Sequence, residues 1–363
     1  MRQVTIFREP GRFGGWPANY GMWHWGDEIV LGFTVGMHKT VARGHAIDKS
    51  RPVTNMQARS LDRGATWAIE AFQGTRPGGR GLSADEHMEP GLRLAEVMHE
   101  KTAAIPNAPL NFDQPDFALM LARTGLARGV FSFFYLSYDR CRTWKGPYRL
   151  PLFGSAGIAA RTDYIIQSEH SALFFLSANK TDGAEGKVIC VRTDDGGQSF
   201  QLLSEVGSEP SGAGAFAIMP AGLRLPDGPL LCARRCRDGA SGRSWIDLYA
   251  SDDRGASWRY LNRPVEFHQP GHSGNPPCLK RLSDGRLLLI YGNRDAPYNI
   301  CARISPDEGA SWSGEIVIRA GGANWDMGYV RAALLNDDLV VAAYYINDRR
   351  DGERFIEATL WQP

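Results

Sequence analysis

SLDRGATW (residues 60–67) returns along the chain as SYDRCRTW (137–144), TDDGGQSF (193–200), SDDRGASW (251–258) and SPDEGASW (305–312). All five segments fit Ser/Thr-x-Asp-x-Gly-x-x-aromatic, with Cys141 standing once in place of the glycine. Each makes sense as a turn between strands: the Asp carboxylate can accept turn amides, the glycine supplies a positive φ, and the Trp or Phe packs back between sheets. The segments begin 77, 56, 58 and 54 residues apart, roughly the span of a four-stranded blade with its loops.

Upstream of most of these turns lies a second repeated unit, a lead-in, a Gly/Asp turn and an apolar strand. It is seen in WPANYGMWHWGDEIVLGF (16–33), MPAGLRLPDGPLLCARR (219–235), PPCLKRLSDGRLLLIYGNR (276–294) and YVRAALLNDDLVVAAYY (329–345). Two less regular copies, DFALMLARTGLARGVFSFFY (116–135) and DYIIQSEHSALFFLSANK (163–180), fall where the second and third units require them. The sixth unit begins at Tyr329 and stops after RFIEATLW (354–361), a third strand without the turn. RQVTIF (2–7) can supply its fourth strand, closing the ring and removing the open edges of a linear array. The expected architecture is an all-β, six-bladed propeller occupying residues 1–363 as one domain. An insertion at about 76–116, with a short helix around Leu92–His99, is expected to overhang one face.

The chain has 363 residues, 43% of them hydrophobic, and a formal net charge of +1, so nothing calls for a nucleic-acid or membrane partner. The longest apolar runs, Leu287–Tyr291 and Leu339–Tyr345, are strand-length and far short of the roughly 20 residues of a spanning helix. MRQVTIFREPG has no apolar stretch behind its positive charge, so the default expectation is a cytoplasmic protein, or a secreted or periplasmic one if the sequence is a trimmed mature form. The six cysteines form no CxxC pair or zinc pattern and are expected to be reduced and mostly buried. Only His268 and His272 share an HxxxH spacing, and they lie in a Pro/Gly loop rather than on a helix, so neither metal nor cofactor is expected.

Strand polarity places the repeated turns on one face. The lead-ins to the first strands and the loops joining second and third strands lie on the other, where the channel mouth is the obvious pocket. That face carries Trp16 and Asn19, the 38–51 loop, Arg161 and Asp163, Arg235 and Arg243, His272 and Asn275, Arg294 and Tyr298, and Asp326, Tyr329 and Arg331. Its arginines (Arg51, Arg161, Arg243, Arg294, Arg331) favour an anionic group, because a planar guanidinium pairs bidentately with carboxylate or sulfate. For any one of them the alternative is a solvated loop residue.

Five such turns on a six-unit propeller resemble the sialidase superfamily and its Asp-box repeats over essentially the whole chain. The resemblance implies an exo-glycosidase that holds an acidic sugar with an arginine triad and attacks it with Tyr rather than a carboxylate, since a neutral phenol avoids like-charge repulsion. GYVRAALLNDDLVVAAYY (328–345) is similar to the family's last-blade strand and puts Tyr329 on the nucleophile, the alternative being a channel-lining aromatic. GHAIDKSRP (44–52) occupies the loop of the acid/base Asp, so Asp48 or the neighbouring His45 becomes the proton-transfer candidate, the alternative being a turn aspartate that organises the loop. Arg243 matches one triad position. Gly15-Trp16-Pro17 replaces the first triad arginine, for which Arg12 or Arg8 would have to substitute. Met219 stands where the Tyr-activating Glu belongs, the nearest acid being Glu209. Tyr298 falls at the blade-five arginine, four residues after Arg294.

Three functions follow as expectations. The first is a retaining, sialidase-like exo-glycosidase with Tyr329 as nucleophile, Asp48 or His45 as acid/base, and Arg51, Arg161, Asp163, Arg243, His272, Asn275, Arg294, Asp326, Arg331, Trp16 and Asn19 as substrate contacts. The second is a polysaccharide lyase or non-sialic glycosidase acting on uronic acids through His45 or His272 with Tyr329. The third is a non-catalytic sugar-binding propeller. In each the partner is a glycan or acidic sugar, and the oligomeric state is left open.

Overall fold

The computed structural model describes residues 1–269 and 274–363. Its strands form six antiparallel sheets arranged as the blades of a propeller. Blade I holds Arg12–Gly15, Met22–Trp25, Glu28–Met37, Thr54–Ser60 and Ala68–Ala71. Blade II has three strands, Ala118–Arg123, Ser132–Ser137 and Lys145–Arg149. Blade III runs from Tyr164 to Glu205, blade IV from Phe216 to Phe267 and blade V from Cys278 to Arg319, each with four strands. Blade VI combines Gly328–Leu334, Val340–Ile346 and Phe355–Trp361 with the N-terminal Arg2–Phe7. The terminal strands pair antiparallel, Arg2 opposite Leu360 and Val4 opposite Ala358, which is the expected ring closure.

The repeated turns are built alike. In the first, Ser60 Oγ donates to Asp62 Oδ1 (2.8 Å) and accepts the Gly64 N–H (2.8 Å), while Asp62 Oδ1 also accepts the Thr66 N–H (2.8 Å). The turn at 251–258 reproduces this with Ser251, Asp253, Gly255 and Ser257. Gly64 (φ 86) and Gly255 (φ 91) occupy the left-handed region that glycine enters without a Cβ clash, and Cys141 takes the same conformation at φ 63. The closing aromatic wedges against the preceding blade: Trp144 donates Nε1–H to Gln57 Oε1 (2.6 Å) and packs 5.4 Å from Trp23, and Trp258 stands 5.9 Å from Phe175. Alternating strand residues complete apolar layers between blades, such as Phe7, Phe13, Phe33, Val341, Tyr345 and Ile356 where the ring closes. All six cysteines are free and buried.

Two local expectations are corrected. The lead-in of blade I is not one strand from Trp16. Arg12–Gly15 and Met22–Trp25 both pair with Glu28–Met37, and the 3₁₀ turn Pro17–Asn19 is looped out between them, because Trp16 takes φ 59 and the following proline cannot donate to a ladder. No helix spans Leu92–His99: only the single 3₁₀ turn Leu94–Glu96 forms, between extended Arg93 (ψ 141) and non-helical Val97. The insertion is fastened to blade I instead. Buried Asn55 accepts the Leu82 N–H at Oδ1 (2.8 Å), and its Nδ2 donates to the Tyr20 hydroxyl (2.8 Å) and to Leu82 O (3.3 Å). Tyr20 itself donates to Leu82 O (2.8 Å).

Asn55→Leu conserves volume but strands the buried Leu82 N–H, and its stability in urea is expected to fall by about 2 kcal/mol. A loss under about 0.5 kcal/mol, the scale of an ordinary surface substitution, would contradict this account of how the insertion is held.

Candidate functional site

At the head of blade VI the register between Gly328–Leu334 and Val340–Ile346 slips between Gly328 and Arg331, and Tyr329 takes φ 54 at the slip. A bulky residue holds such a conformation only when its surroundings impose it. Asn275 does so: its Oδ1 accepts the Tyr329 N–H (2.8 Å) and its Nδ2 donates to Met327 O (3.2 Å). Arg294 braces the same stretch, donating Nε–H to Met327 O (3.2 Å), Nη1 to Gly274 O (3.1 Å) and Nη2 to the Tyr345 hydroxyl (3.2 Å). Blade IV slips at the matching point between Ile218 and Ala221, with Met219 at φ 51. Met219, Ile218 and Ala18 form a small apolar cluster against which Tyr329 packs.

The mouth of the channel is a cavity of about 390 Å³ lined by Tyr329, Arg235, Arg161, Glu185, Glu86, His87, Phe216 and Ile218, with Leu126, Ala127 and Ala184 completing the wall. Arg235 reaches it from the second strand of blade IV, opposite Ile218. Burial lowers its guanidinium to about 10, and the Tyr329 hydroxyl in polar contact with it works the other way. Arg294 lies 5.6 Å over the Tyr329 ring. Arg161 is paired with Glu185 and donates Nη1 to Ala159 O (2.7 Å), while its buried Nε finds no protein partner among the described residues. Glu86 bonds Arg123 (2.5 Å); burial works to raise its carboxyl, but Arg123, His87 and Arg161 outweigh that and bring it to about 2. Burial pushes His87 down to about 3, so it is neutral near pH 7, stacked 4.3 Å from Trp16.

Behind His87 the imidazole of His45 stands edge-on, 4.8 Å between ring centres. Its Nδ1 is 2.5 Å from Oδ1 of Asp326, which is fully buried and also accepts the Tyr345 hydroxyl (2.9 Å), Arg354 Nε–H (2.9 Å) and Ala46 N–H (3.0 Å). Burial opposes the Asp326 charge, but His45, Arg354 and the Ala46 amide hold the carboxyl well below its ordinary range. An ionised Asp326 fixes the proton of His45 on Nδ1 and directs Nε2 away from it.

Of the expected site residues Tyr329 and Arg161 line the mouth itself; Arg294 lies over the Tyr329 ring, Asn275 holds the Tyr329 backbone, Trp16 stacks on His87, and His45 with Asp326 stands behind His87. Other expected site residues lie elsewhere. Asp48 is a turn aspartate: its Oδ1 accepts the Ser50 N–H (3.1 Å) and hydroxyl (2.7 Å), and these bonds lower its pKa at a half-buried position. Arg243 is exposed and pairs with Glu266 (3.5 Å), because it sits at the hairpin end before Ser244; Arg235, eight residues earlier, holds the mouth position. Arg51 is exposed on the loop after Asp48 and does not line the mouth.

Asp163 and Arg331 lie two residues further along the chain than Arg161 and Tyr329, in a separate channel cavity of about 260 Å³, where burial raises Asp163 to about 7. Arg331 Nη2 is spent there on Ala18 O (2.9 Å) and Thr162 O (2.7 Å). Asn19 Nδ2 donates to Ser83 O (3.3 Å), tying the insertion to blade I. His272 lies outside the described residues.

Glu86, His87 and Glu185 are residues that sequence reasoning misses. Glu185 opens the third strand of blade III, so strand polarity does place it on the mouth face; Glu86 and His87 come from the aperiodic insertion, where nothing in the repeat marks them. Among the described residues no three His, Cys, Asp or Glu side chains gather as metal ligands do.

No family model matches the sequence, and no curated protein matches it. Solved structures do match the fold. A Dyadobacter fermentans protein of unknown function aligns over 99% of this chain and 97% of its own, at 20% identity and a TM-score of 0.72. An α-L-arabinanase of Penicillium chrysogenum, complexed with arabinobiose, aligns over 100% and 98%, at 13% identity and a TM-score of 0.61. A Trypanosoma rangeli sialidase, in complex with sialic acid, aligns over 94% of this chain and 53% of its own, at 12% identity and a TM-score of 0.61. At these identities the likeness is one of fold, which hosts more than one chemistry.

Because His87 is held neutral, the unfolded chain binds a proton that the folded chain refuses between pH 6.5 and about 3, so stability drops as pH falls through that window. Moving from pH 7 to pH 5 is expected to cost the wild type about 2 kcal/mol more than His87→Gln in urea unfolding. Equal losses in the two proteins would place His87 in water rather than in the wall.

Proposed function

We propose that this chain is a glycan-active enzyme that cleaves the glycosidic bond of a terminal acidic sugar through Tyr329. The observation that carries the reading is Tyr329 itself, forced into a left-handed turn at the channel mouth with the Arg235 guanidinium against its hydroxyl and Arg161 lining the same cavity. A sugar carboxylate between Arg235 and Arg161 would receive charge-assisted, planar donors and bring its anomeric carbon to the phenol.

In hydrolysis the Tyr329 oxygen attacks that carbon while the glycosidic C–O bond breaks, and the departing oxygen takes a proton from His45 Nε2. The imidazole, held by Asp326, then takes a proton from water as that water displaces Tyr329 with net retention. The acid/base role falls to His45 rather than Asp48, because Asp48 is committed to the Ser50 turn and His45 is oriented by the buried Asp326 carboxylate. Tyr329 attacks as the phenolate, its hydroxyl proton having passed to solvent, and the Arg235 guanidinium in contact with that oxygen pairs with the charge.

A second reading, elimination on a uronic acid, is favoured by one feature: among the described residues no carboxylate bonds the Tyr329 hydroxyl, and Met219 occupies the matching position in blade IV. With its hydroxyl proton lost to solvent, Tyr329 is then the base for the proton beside the sugar carboxylate. The glycosidic C–O bond breaks on the adjacent carbon, the departing oxygen takes a proton from solvent, and a carbon–carbon double bond is left.

The test is turnover of a 4-methylumbelliferyl sialoside beside a panel of uronic-acid-capped oligosaccharides. Tyr329→Phe is expected to lower kcat at least about 10³-fold while sugar affinity stays within about threefold. Arg235→Ala should raise KM by about 10- to 100-fold. A product absorbing in the ultraviolet would select elimination, and tight sugar binding with no product from any substrate would leave a binding propeller.

A further inference from the structure

A wider cavity of about 670 Å³ is formed where the loop around Arg43 meets the neighbourhood of Tyr298, Asn324 and Arg350. Trp325 lines this cavity and links it to the mouth: its ring is 5.5 Å from that of His45 and has 5.4 Å over it the Arg294 guanidinium that also lies over the Tyr329 ring. Tyr298, at φ 61, offers another aromatic side chain there.

The walls are fixed by their own hydrogen bonds. Asn347 Oδ1 accepts the N–H groups of Ala323 (2.8 Å) and Asn324 (2.9 Å), and Tyr298 O accepts the Gly322 N–H (3.0 Å). Asn324 Nδ2 donates to Arg350 O (2.6 Å), and its Oδ1 accepts from Arg354 (3.2 Å). Three guanidiniums line the space. Arg354 is committed to Asp326, but Arg43 and Arg350 are exposed and make no ion pair with a described residue, against a single lining carboxylate, Asp351.

Aromatic side chains pack the C–H face of a pyranose, and unpaired guanidiniums bind an anionic substituent on it. Given the acidic-sugar reading above, on which this rests, we propose that the second cavity is a subsite for a neighbouring sugar that also carries an anionic group. The substrate class is then an anionic oligosaccharide running from the mouth across Trp325, rather than a lone acidic sugar on a neutral carrier.

The test measures calorimetric affinity for three series: galacturonic acid and trigalacturonic acid, glucuronic acid and sulfated chondroitin oligosaccharides, and sialic acid and its α2,8-linked trimer. At least one series should gain about tenfold or more in affinity from monomer to oligomer. The double variant Arg43→Ala/Arg350→Ala should erase that gain and leave monomer affinity unchanged, and Arg43→Glu alone should reduce it. Which series responds tells carboxylate from sulfate.

A gain that survives the double variant, or no gain with length in any series, overturns the subsite. Failure of the mouth reads differently: monomers that do not bind, or that bind Arg235→Ala unchanged, defeat the acidic-sugar reading. Oligomer affinity that still falls in the double variant would leave the second cavity standing as an anionic-glycan site of its own. Both altered arginines are exposed, so unchanged melting temperatures are expected and separate lost binding from lost fold.

Discussion

The antiparallel pairing of Arg2–Phe7 with Phe355–Trp361 is the contact on which the ring depends. A sheet edge with free N–H and C=O groups invites other strands, and a closed circle of blades turns its inner faces into a single continuous wall. Here the two ends of the chain meet in one sheet, and the layer between blades VI and I is filled from both, with Phe7 and Phe13 against Tyr345 and Ile356. Tyr345 belongs to that layer and also sends its hydroxyl to Asp326. The carboxylate that orients His45 is thereby braced by the joint that closes the molecule.

The mouth shows how a fold concentrates positive charge without unbalancing itself. Arg123 is neutralised by Glu86, Arg161 by Glu185 and Arg354 by Asp326, so these guanidiniums are buried together with partners. Arg235 and Arg294 instead face the Tyr329 ring and hydroxyl. An anion entering here meets donors already oriented, and the cost of gathering like charges has been met in folding.

The architecture was legible because it is repetitive: five octets and their apolar lead-ins mark the blades, and the short sixth unit marks the closure. The site was legible only in part, because its residues owe their places to departures from the repeat. Tyr329, Met219 and Trp16 point as they do through left-handed backbone at the strand heads, which no periodicity signals. Arg235 and Arg243 both lie on the expected face of blade IV. The difference between strand interior and hairpin end decided between them, and boundaries are where pattern reading is weakest. Asp48 had the right neighbourhood in sequence, but its carboxylate was satisfied within two residues by Ser50. Glu86 and His87 arrive from an insertion whose path is set by tertiary hydrogen bonds rather than by local propensity.

That insertion is pinned chiefly through backbone groups, Leu82 on Asn55 and Tyr20, and Ser83 on Asn19. The side chains just beyond that anchor are committed too: Asp85 accepts the Leu94 and Ala95 N–H groups, Glu86 pairs with buried Arg123 of blade II, and His87 stacks on Trp16 of blade I. Residues 85–87 therefore act as a rivet through three layers, the insertion and two blades. A change in any one of them would be felt in the wall of the mouth and in the packing between blades at once.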